Sequence, residues 1–410
     1  MISKRAFLGG ATALTGVLLA PPLLAEAPLT SLAANARPIA PEEYKARIAK
    51  LQGLMQAAGV GAFIVECGSS LRYFTGIQWG RSERVTAAVI PANGDAVVVT
   101  PAFEEPSVRE TLQIPAEVRP WNEDESPEAR MAGILADRKV LSGKVAVEPT
   151  LRFFIIDALK KRTACDIVSG EVLVNGCRQI KSPAELALMQ VANDITLAAL
   201  RYVHGHIQPG MTQGDIAALM NATSGALGGP PEFSLVLLNE ASAYPHGSHQ
   251  PQTVREGSVI LMDCGAQVFG YQSDMSRSWV YGAPSARQRK VWDTVKRGQE
   301  IALETAKIGV PVGTIDDAVR AFYTREGWGP GYHLPGLSHR TGHGIGLDGH
   351  EAAYLVHGDA TPLQAGMCFS DEPGLYIPGE FGIRLEDCWH MTEAGPKLFT
   401  TLATSIDQPV

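Results

Sequence analysis

The run Val259-Ile260-Leu261-Met262 reads as a buried strand, and it ends in Asp263. A carboxylate placed directly after apolar residues is costly to bury alone, so the fold must bring it a partner. Gly265 and Gly270 then let the chain turn, and Tyr271-Gln272-Ser273-Asp274 delivers a second carboxylate eleven positions on. The pattern predicts a hairpin with one Asp on each arm. Paired strands lie about 5 Å apart, so the two carboxylates can share a site. The plainer alternative is two aspartates that only cap turns, and the apolar run ahead of Asp263 counts against it.

Two more acids follow the same logic. Asp371-Glu372-Pro373-Gly374 and Arg384-Leu385-Glu386-Asp387 place Glu372 and Glu386 fourteen apart. Leu375 to Ile383 between them reads as strand, turn, strand. Ahead of this second hairpin lies Ser338-His339-Arg340-Thr341-Gly342-His343-Gly344-Ile345-Gly346-Leu347. His339 and His343 have helical spacing, but Gly342, Gly344 and Gly346 argue against a helix. Alternating glycines suit a strand or loop that other groups approach closely, which makes His343 a ligand candidate. Two Asp, two Glu and one His form a hard, mostly oxygen ligand set. Such a set suits two divalent ions bridged by carboxylates, with Mn, Co, Fe and Zn all admissible. A bridged pair can acidify a shared water to a nucleophile near neutral pH.

The rest of the chain frames this cluster. At 410 residues there is room for two domains. A net charge of −8, with no basic run interleaved with aromatics, excludes nucleic acid as an expected partner. A helix opens at Pro41 with an apolar stripe of Tyr44, Ile48, Leu51, Met55 and Ala58, and Gly59 and Gly61 end it. Ala62 to Val65 reads as a buried strand, and Val85–Ile90 and Ala96–Thr100 flank Asn93-Gly94 as a hairpin. The first half is thus α/β, without a clustered His, Asp and Glu set, and serves as scaffold, dimer contact or lid. Ser182-Pro183-Ala184-Glu185 is a capping box that starts a long helix, placing a domain boundary near Cys177–Lys181. The helix starts at Gly210-Met211-Thr212-Gln213-Gly214-Asp215 and Val312-Gly313-Thr314-Ile315-Asp316 echo one another, as an internal duplication would. Six cysteines without a CxxC pair make no disulfide scaffold, although a Cys165–Cys177 bridge is open to an oxidising compartment.

Residues 1–36 have a character of their own. Ser3-Lys4-Arg5-Ala6-Phe7-Leu8 precedes an uncharged stretch, Gly9 to Leu24, rich in Ala, Gly and Leu. That is the order of a secretory signal, and Ser-Lys-Arg-x-Phe-Leu resembles a twin-arginine export signal with Lys for the first Arg. Pro21 and Pro22 break the stretch and oppose a retained membrane anchor. Cleavage is expected after Ala27 or after Ala36, and the mature protein is expected to be periplasmic or secreted, with no stable membrane span.

Five blocks now stand in order: Pro245-His246-Gly247, MDCGAQVFGYQSDMSRSW, HRTGHGIGLDGHE, DEPGLYIPGEFG and IRLED. Together they resemble the pita-bread metallopeptidases, family M24, which holds methionine aminopeptidase, aminopeptidase P and prolidase. The resemblance covers roughly 180–410. The first half, around Arg72-Tyr73-Phe74-Thr75-Gly76, is similar to the creatinase/prolidase N-terminal domain. The implied organisation is an export signal at 1–36, a creatinase-like α/β domain at 37–178 and a pita-bread α+β catalytic domain at 179–410. The resemblance implies that Asp263 chelates one metal, that Asp274 and Glu386 bridge two, and that His343 and Glu372 complete the second. It further implies a substrate-side His246, a His350 that contacts the scissile carbonyl or tetrahedral intermediate, and an Arg384 that orients ligand or substrate. Glu372 would also shuttle a proton to the leaving nitrogen. The expected activity is removal of the N-terminal residue from Xaa-Pro peptides, as dipeptidase or aminopeptidase, by a homodimer acting on short proline-containing peptides. The alternatives are a non-peptidase enzyme on the same fold, such as a lyase or C–N hydrolase, and a binding module. Gly265 stands where the related lyases carry a second Asp, and the full ligand set speaks against the binding module. Asp371, where relatives often carry an apolar residue, is expected to add an acid beside the metals.

Overall fold

The computed structural model describes residues 29–410. Residues 1–28, which hold most of the expected export segment, lie outside the described residues.

The N-terminal half is a six-stranded sheet covered by helices. Strands β1 (Val60–Glu66), β2 (Ala87–Pro91), β3 (Ala96–Pro101), β4 (Ala116–Trp121), β5 (Lys144–Val147) and β6 (Asp166–Ser169) lie in the order β4-β3-β2-β1-β5-β6. The expected hairpin is β2–β3, with Ala87 opposite Val99. The first long helix, Pro41–Ala58, buries Leu51 and Met55 and ends where Gly59 takes φ 64°, a conformation glycine adopts without penalty. Side chains alternate across β1, so Phe63 and Val65 face one apolar cluster while Ala62 and Ile64 face another. This alternation also settles the cysteines. Cys177 sits in the first cluster and Cys165 in the second, on opposite faces of the sheet, so the bridge left open by the sequence does not form. All six cysteines are free and buried.

The cluster containing Phe63 does not stop at the domain edge. It continues through Leu51, Met55 and Cys177 into Met189, Ile195 and Leu200 of the helix Pro183–His206, and on to Ile260 and Met262. The two halves therefore share one core, a tighter relation than a lid resting on a surface. Ser182 caps the connecting helix reciprocally with Glu185, as the sequence predicts.

The C-terminal half is mixed α and β. Strands β7 (Pro231–Leu238), β8 (Val259–Val268) and β10 (Met275–Val280) form one sheet, with the short β9 (Tyr271–Gln272) folded onto β8. A second sheet runs β12-β11-β13-β16-β17, from β11 (Gly342–Gly344), β12 (Glu351–Leu355), β13 (Cys368–Asp371), β16 (Asp387–Thr392) and β17 (Gly395–Leu398). The ribbon β14 (Gly374–Ile377) and β15 (Phe381–Arg384) joins them. A helix pair precedes each set of strands, Pro183–His206 with Gln213–Ala226 and Ala286–Thr305 with Gly313–Arg325. The layout repeats, but the two echoing helix starts differ. Asp215 closes a capping box with Thr212, whereas buried Asp316 accepts the Thr341 N–H at 3.1 Å and its hydroxyl at 2.7 Å. No helix among the described residues is long and apolar enough to cross a membrane.

Candidate metal centre

The two hairpins converge. Across β8 and β10, Asp263 pairs with Ser276 and Cys264 with Met275, which leaves Asp274 at the end of the second arm beside Asp263. Across the ribbon, Gly374 pairs with Arg384, so Glu372 and Glu386 leave the same end of it. His343 occupies the middle of β11, between flanking glycines whose added Cβ atoms would strike the Ser370 and Glu351 carbonyls. The glycines thus let the neighbouring strands close on the histidine, as the sequence suggests.

The ligand atoms of Asp263, Asp274 and Glu386 lie within 4.8 Å of one another, and so do those of His343, Glu372 and Glu386. Glu386 belongs to both groups. A third group of the same tightness joins Asp274, His343 and His350. Four largely buried carboxylates this close together repel one another. Burial first, then Asp263, pushes Asp274 well above the usual carboxylate range, and burial with Asp274 does the same to Glu386. Glu372 rises to about 7 through burial and Asp263, with Arg384 pulling the other way. Burial holds the His343 imidazole well below its ordinary value, so it is neutral and able to ligate. The buried Oδ1 of Asp263 has no hydrogen-bond partner among the described residues. An orphaned carboxylate oxygen, crowded acids and a neutral imidazole together fit divalent cations, and a hard oxygen-rich set selects them.

A tier of side chains aims these ligands: Arg384, which the resemblance implies, and Ser276 and Tyr376, which sequence reasoning missed. Ser276 donates its hydroxyl to Glu386 at 2.7 Å and accepts Arg384 Nε at 2.8 Å. Arg384 Nη2 donates to Asp263 Oδ2 at 2.5 Å, and Nη1 to the Tyr376 hydroxyl at 3.1 Å. His339 pairs through Nε2 with the same hydroxyl at 2.7 Å and lies 3.8 Å from Glu372. It therefore stands behind the ligands, in a supporting place. The Cys388 thiol donates to the Asp274 carbonyl at 3.1 Å. Nothing in the local sequence marks Ser276 or Tyr376, because their partners are supplied by distant strands.

A cavity of about 400 Å³ opens over the ligands, lined also by Phe233, His246, His350 and Arg384. His246 and His350 are exposed on its walls, and the His350 ring stands edge-on to His343 at 4.1 Å. An adjoining lobe of about 370 Å³ is lined by His246, Tyr332, His339, Arg340, His350 and Val356. Arg340 spreads its guanidinium over the Tyr354 ring at 4.4 Å and makes no ion pair among the described residues. Asp371 is absent from the ligand groups. It is wholly buried opposite Asp387 with neither oxygen hydrogen-bonded, and burial keeps its carboxyl well above the usual range. It is a buried acid outside the ligand groups, not the added metal-side charge its position suggests.

Comparison with known proteins identifies the family of the fold that carries this site. The model of metallopeptidase family M24 matches residues 187–393, and that of the creatinase/prolidase N-terminal domain matches 47–180. The probable dipeptidase PepE of Mycobacterium tuberculosis is 30% identical over 86% of this chain and 93% of its own. The Xaa-Pro dipeptidase of Lactobacillus helveticus is 29% identical over 86% and 95%. The crystal structure of prolidase from Thermococcus sibiricus superposes with a TM-score of 0.81 at 27% identity, covering 87% of this chain and 97% of that one. With half of the chain matched by the catalytic-domain model and its N-terminal half by the companion domain, this chain belongs to metallopeptidase family M24.

Proposed function

We propose that this metallopeptidase removes the N-terminal residue from Xaa-Pro dipeptides, using two divalent ions. The observation that carries the reading is the sharing of Glu386 between two ligand groups, which suits a carboxylate bridging a metal pair. Asp263, Asp274, His343, Glu372 and Glu386 would hold the ions, with Mn, Co, Zn and Fe all suited to the donor set. Bound there, the pair supplies the Lewis acidity that amide hydrolysis requires.

The chain's own groups do the rest. Glu372, beside the ions, would take a proton from the attacking water and pass it to the leaving nitrogen. His350 and His246 face the cavity where the carbonyl oxygen of a bound peptide would gain charge, and an imidazole N–H there stabilises it. Arg384 is fully engaged with Asp263, Ser276 and Tyr376, so it acts by orienting ligands.

An Xaa-Pro bond has no N–H, so recognition must come from the ring and the free terminus. In the adjoining lobe Tyr332 and Val356 offer apolar surface for the ring, and unpaired Arg340 offers a cation for the carboxylate. A longer peptide would carry that carboxylate past Arg340, so dipeptides are the favoured length. The test is protein reconstituted with Mn, Co or Zn and given an Xaa-Pro dipeptide beside an Xaa-Pro-Yaa tripeptide, with Glu386→Ala as control. Metal-dependent cleavage of the dipeptide, lost in the variant, supports the reading. Tripeptide preference would make it an aminopeptidase, and bound metal without cleavage of either would turn the reading toward a non-peptidase enzyme.

We also propose export through the twin-arginine route, on the strength of Ser3-Lys4-Arg5-Ala6-Phe7-Leu8 and the uncharged stretch after it. Folded export would let the metals load in the cytoplasm. A reporter fused behind residues 1–40 should reach the periplasm and should stay inside when Lys4 and Arg5 are both replaced by Gln.

A further inference from the structure

His350 stands where several lobes of the cavity meet. It lines the ligand lobe, the lobe holding Arg340, and a third of about 610 Å³ walled by Glu66, Trp79 and Arg81 of the N-terminal half. Yet its ring is exposed, touches the His343 ring, and makes no hydrogen bond among the described residues. A side chain so poorly held takes its position from its backbone. That backbone is tied down on both sides. Glu351 Oε1 accepts the N–H groups of Leu347 at 3.0 Å and Asp348 at 3.2 Å, closing the loop on itself.

Most anchors of this loop come from the other domain. Arg178, the last residue of the helix Glu171–Arg178, donates from Nη2 to Asp348 Oδ2 at 2.8 Å and to Glu351 Oε1 at 2.5 Å. Its Nη1 rests on the Ser70 hydroxyl at 3.0 Å. The Ser69 hydroxyl donates to the other oxygen of Asp348. Lys181 holds the second oxygen of Glu351 at 2.9 Å. His350 thus sits between two carboxylates, one two residues before and one directly after, both gripped by Arg178.

We infer that Arg178 and Ser69 are positioning residues, through which the N-terminal domain fixes the place of His350 over the metal centre. This deepens the peptidase reading and rests on it for its catalytic consequence. Simple adhesion between domains is the competing account. The Asp348 side chain is 46% exposed, and an ion pair of such a group contributes little stability. Its worth is then geometric, and a displacement of about 1 Å at a reacting group can cost up to about a hundredfold in rate.

The experiment compares Asp348→Ala, Asp348→Asn and Ser69→Ala with Glu43→Ala, which removes a different tie between the domains, Glu43 to Ser182. Asp348→Ala should lower kcat for an Xaa-Pro dipeptide about tenfold and leave KM within about twofold. Ser69→Ala should do so less. Asp348→Asn should recover most of the loss, since its amide oxygen still accepts from Arg178. Glu43→Ala should keep the wild-type kcat. Hydrogen exchange of the amides at 347–351 gives a readout independent of turnover, and should quicken about tenfold in Asp348→Ala. Wild-type kcat in Asp348→Ala, an equal fall in Glu43→Ala, or unchanged exchange would each overturn the inference. If the wild-type protein cleaves no Xaa-Pro peptide, the peptidase reading fails by itself, and the exchange comparison still decides whether Arg178 and Ser69 hold the loop.

Discussion

Proton and metal compete at Glu372, as at Asp274 and Glu386. The Glu372 carboxyl is lifted to about 7, so below that pH an incoming ion must displace a proton from it, and above that pH it need not displace that one. Metal affinity should therefore fall on acidification, by about tenfold per pH unit for each proton released below 7. Calorimetric titration with Mn at pH 6 and 8, in buffers of differing ionisation enthalpy, measures the protons released; equal release at both values would remove the argument. Arg340 makes a second residue-level claim. A charge-assisted hydrogen bond contributes about 1.5–3 kcal/mol, so Arg340→Ala should raise KM for an Xaa-Pro dipeptide by about tenfold or more and change kcat little. The same dipeptide with an amidated C-terminus should not distinguish wild type from variant, and an equal rise for both would show that Arg340 does not meet the carboxylate. The acids and His343 were legible in the sequence because each breaks a local rule: a charge closing an apolar strand, or a histidine framed by glycines. Ser276 and Tyr376 break no such rule. Their roles appear only when Arg384, more than a hundred positions from Ser276 in sequence, is laid between them.

Elements explain why those acids meet. The turn at Gly270 and the ribbon of β14 and β15 are short-range structures, and strand alternation with turn glycines announces both before any tertiary contact exists. The loop between β11 and β12 is different, because its shape depends on what grips it. Glu351 is the example. Burial would raise its carboxyl, but Arg178 and then Lys181 more than reverse this and hold it at about 2. A carboxyl depressed on folding adds stability that is present at neutral pH and is lost as pH falls from its unfolded value near 4.5 toward 2. Glu351→Gln should thus destabilise the protein by about 3 kcal/mol at pH 7, with the difference from wild type shrinking toward pH 2. Thermal unfolding of both proteins at pH 7 and pH 3 tests this, and a gap that is constant or wider at pH 3 would refute it. The sequence shows Glu351 only as the last letter of a motif, since neither Arg178 nor Lys181 lies near it along the chain.

At the scale of the whole molecule, one apolar cluster passes from the N-terminal sheet into the catalytic half, and a short segment ahead of the first long helix is fastened to that half as well. An apolar stripe on a helix tells that something covers it but not which domain does, so this shared core was illegible beforehand. The segment bears on where an export signal ends. Leu32–Asn35 forms a single turn whose first amide, Leu32 N–H, donates to the Leu227 carbonyl at 2.8 Å. Ser31 and Ala33 pack against Gly228, where φ is 94° and any Cβ would collide with the Ser31 side chain. Gly228 thus keeps a place for this segment at the end of the helix Gln213–Ala226. Cleavage after Ala36 would discard the turn and expose the Leu227 carbonyl it covers, whereas cleavage after Ala27 retains it. On the proposed export, the mature protein should therefore begin at Pro28. Amino-terminal sequencing or intact mass distinguishes that start from Arg37, and a chain starting at Arg37 with undiminished thermal stability would show that the turn adds nothing to the fold.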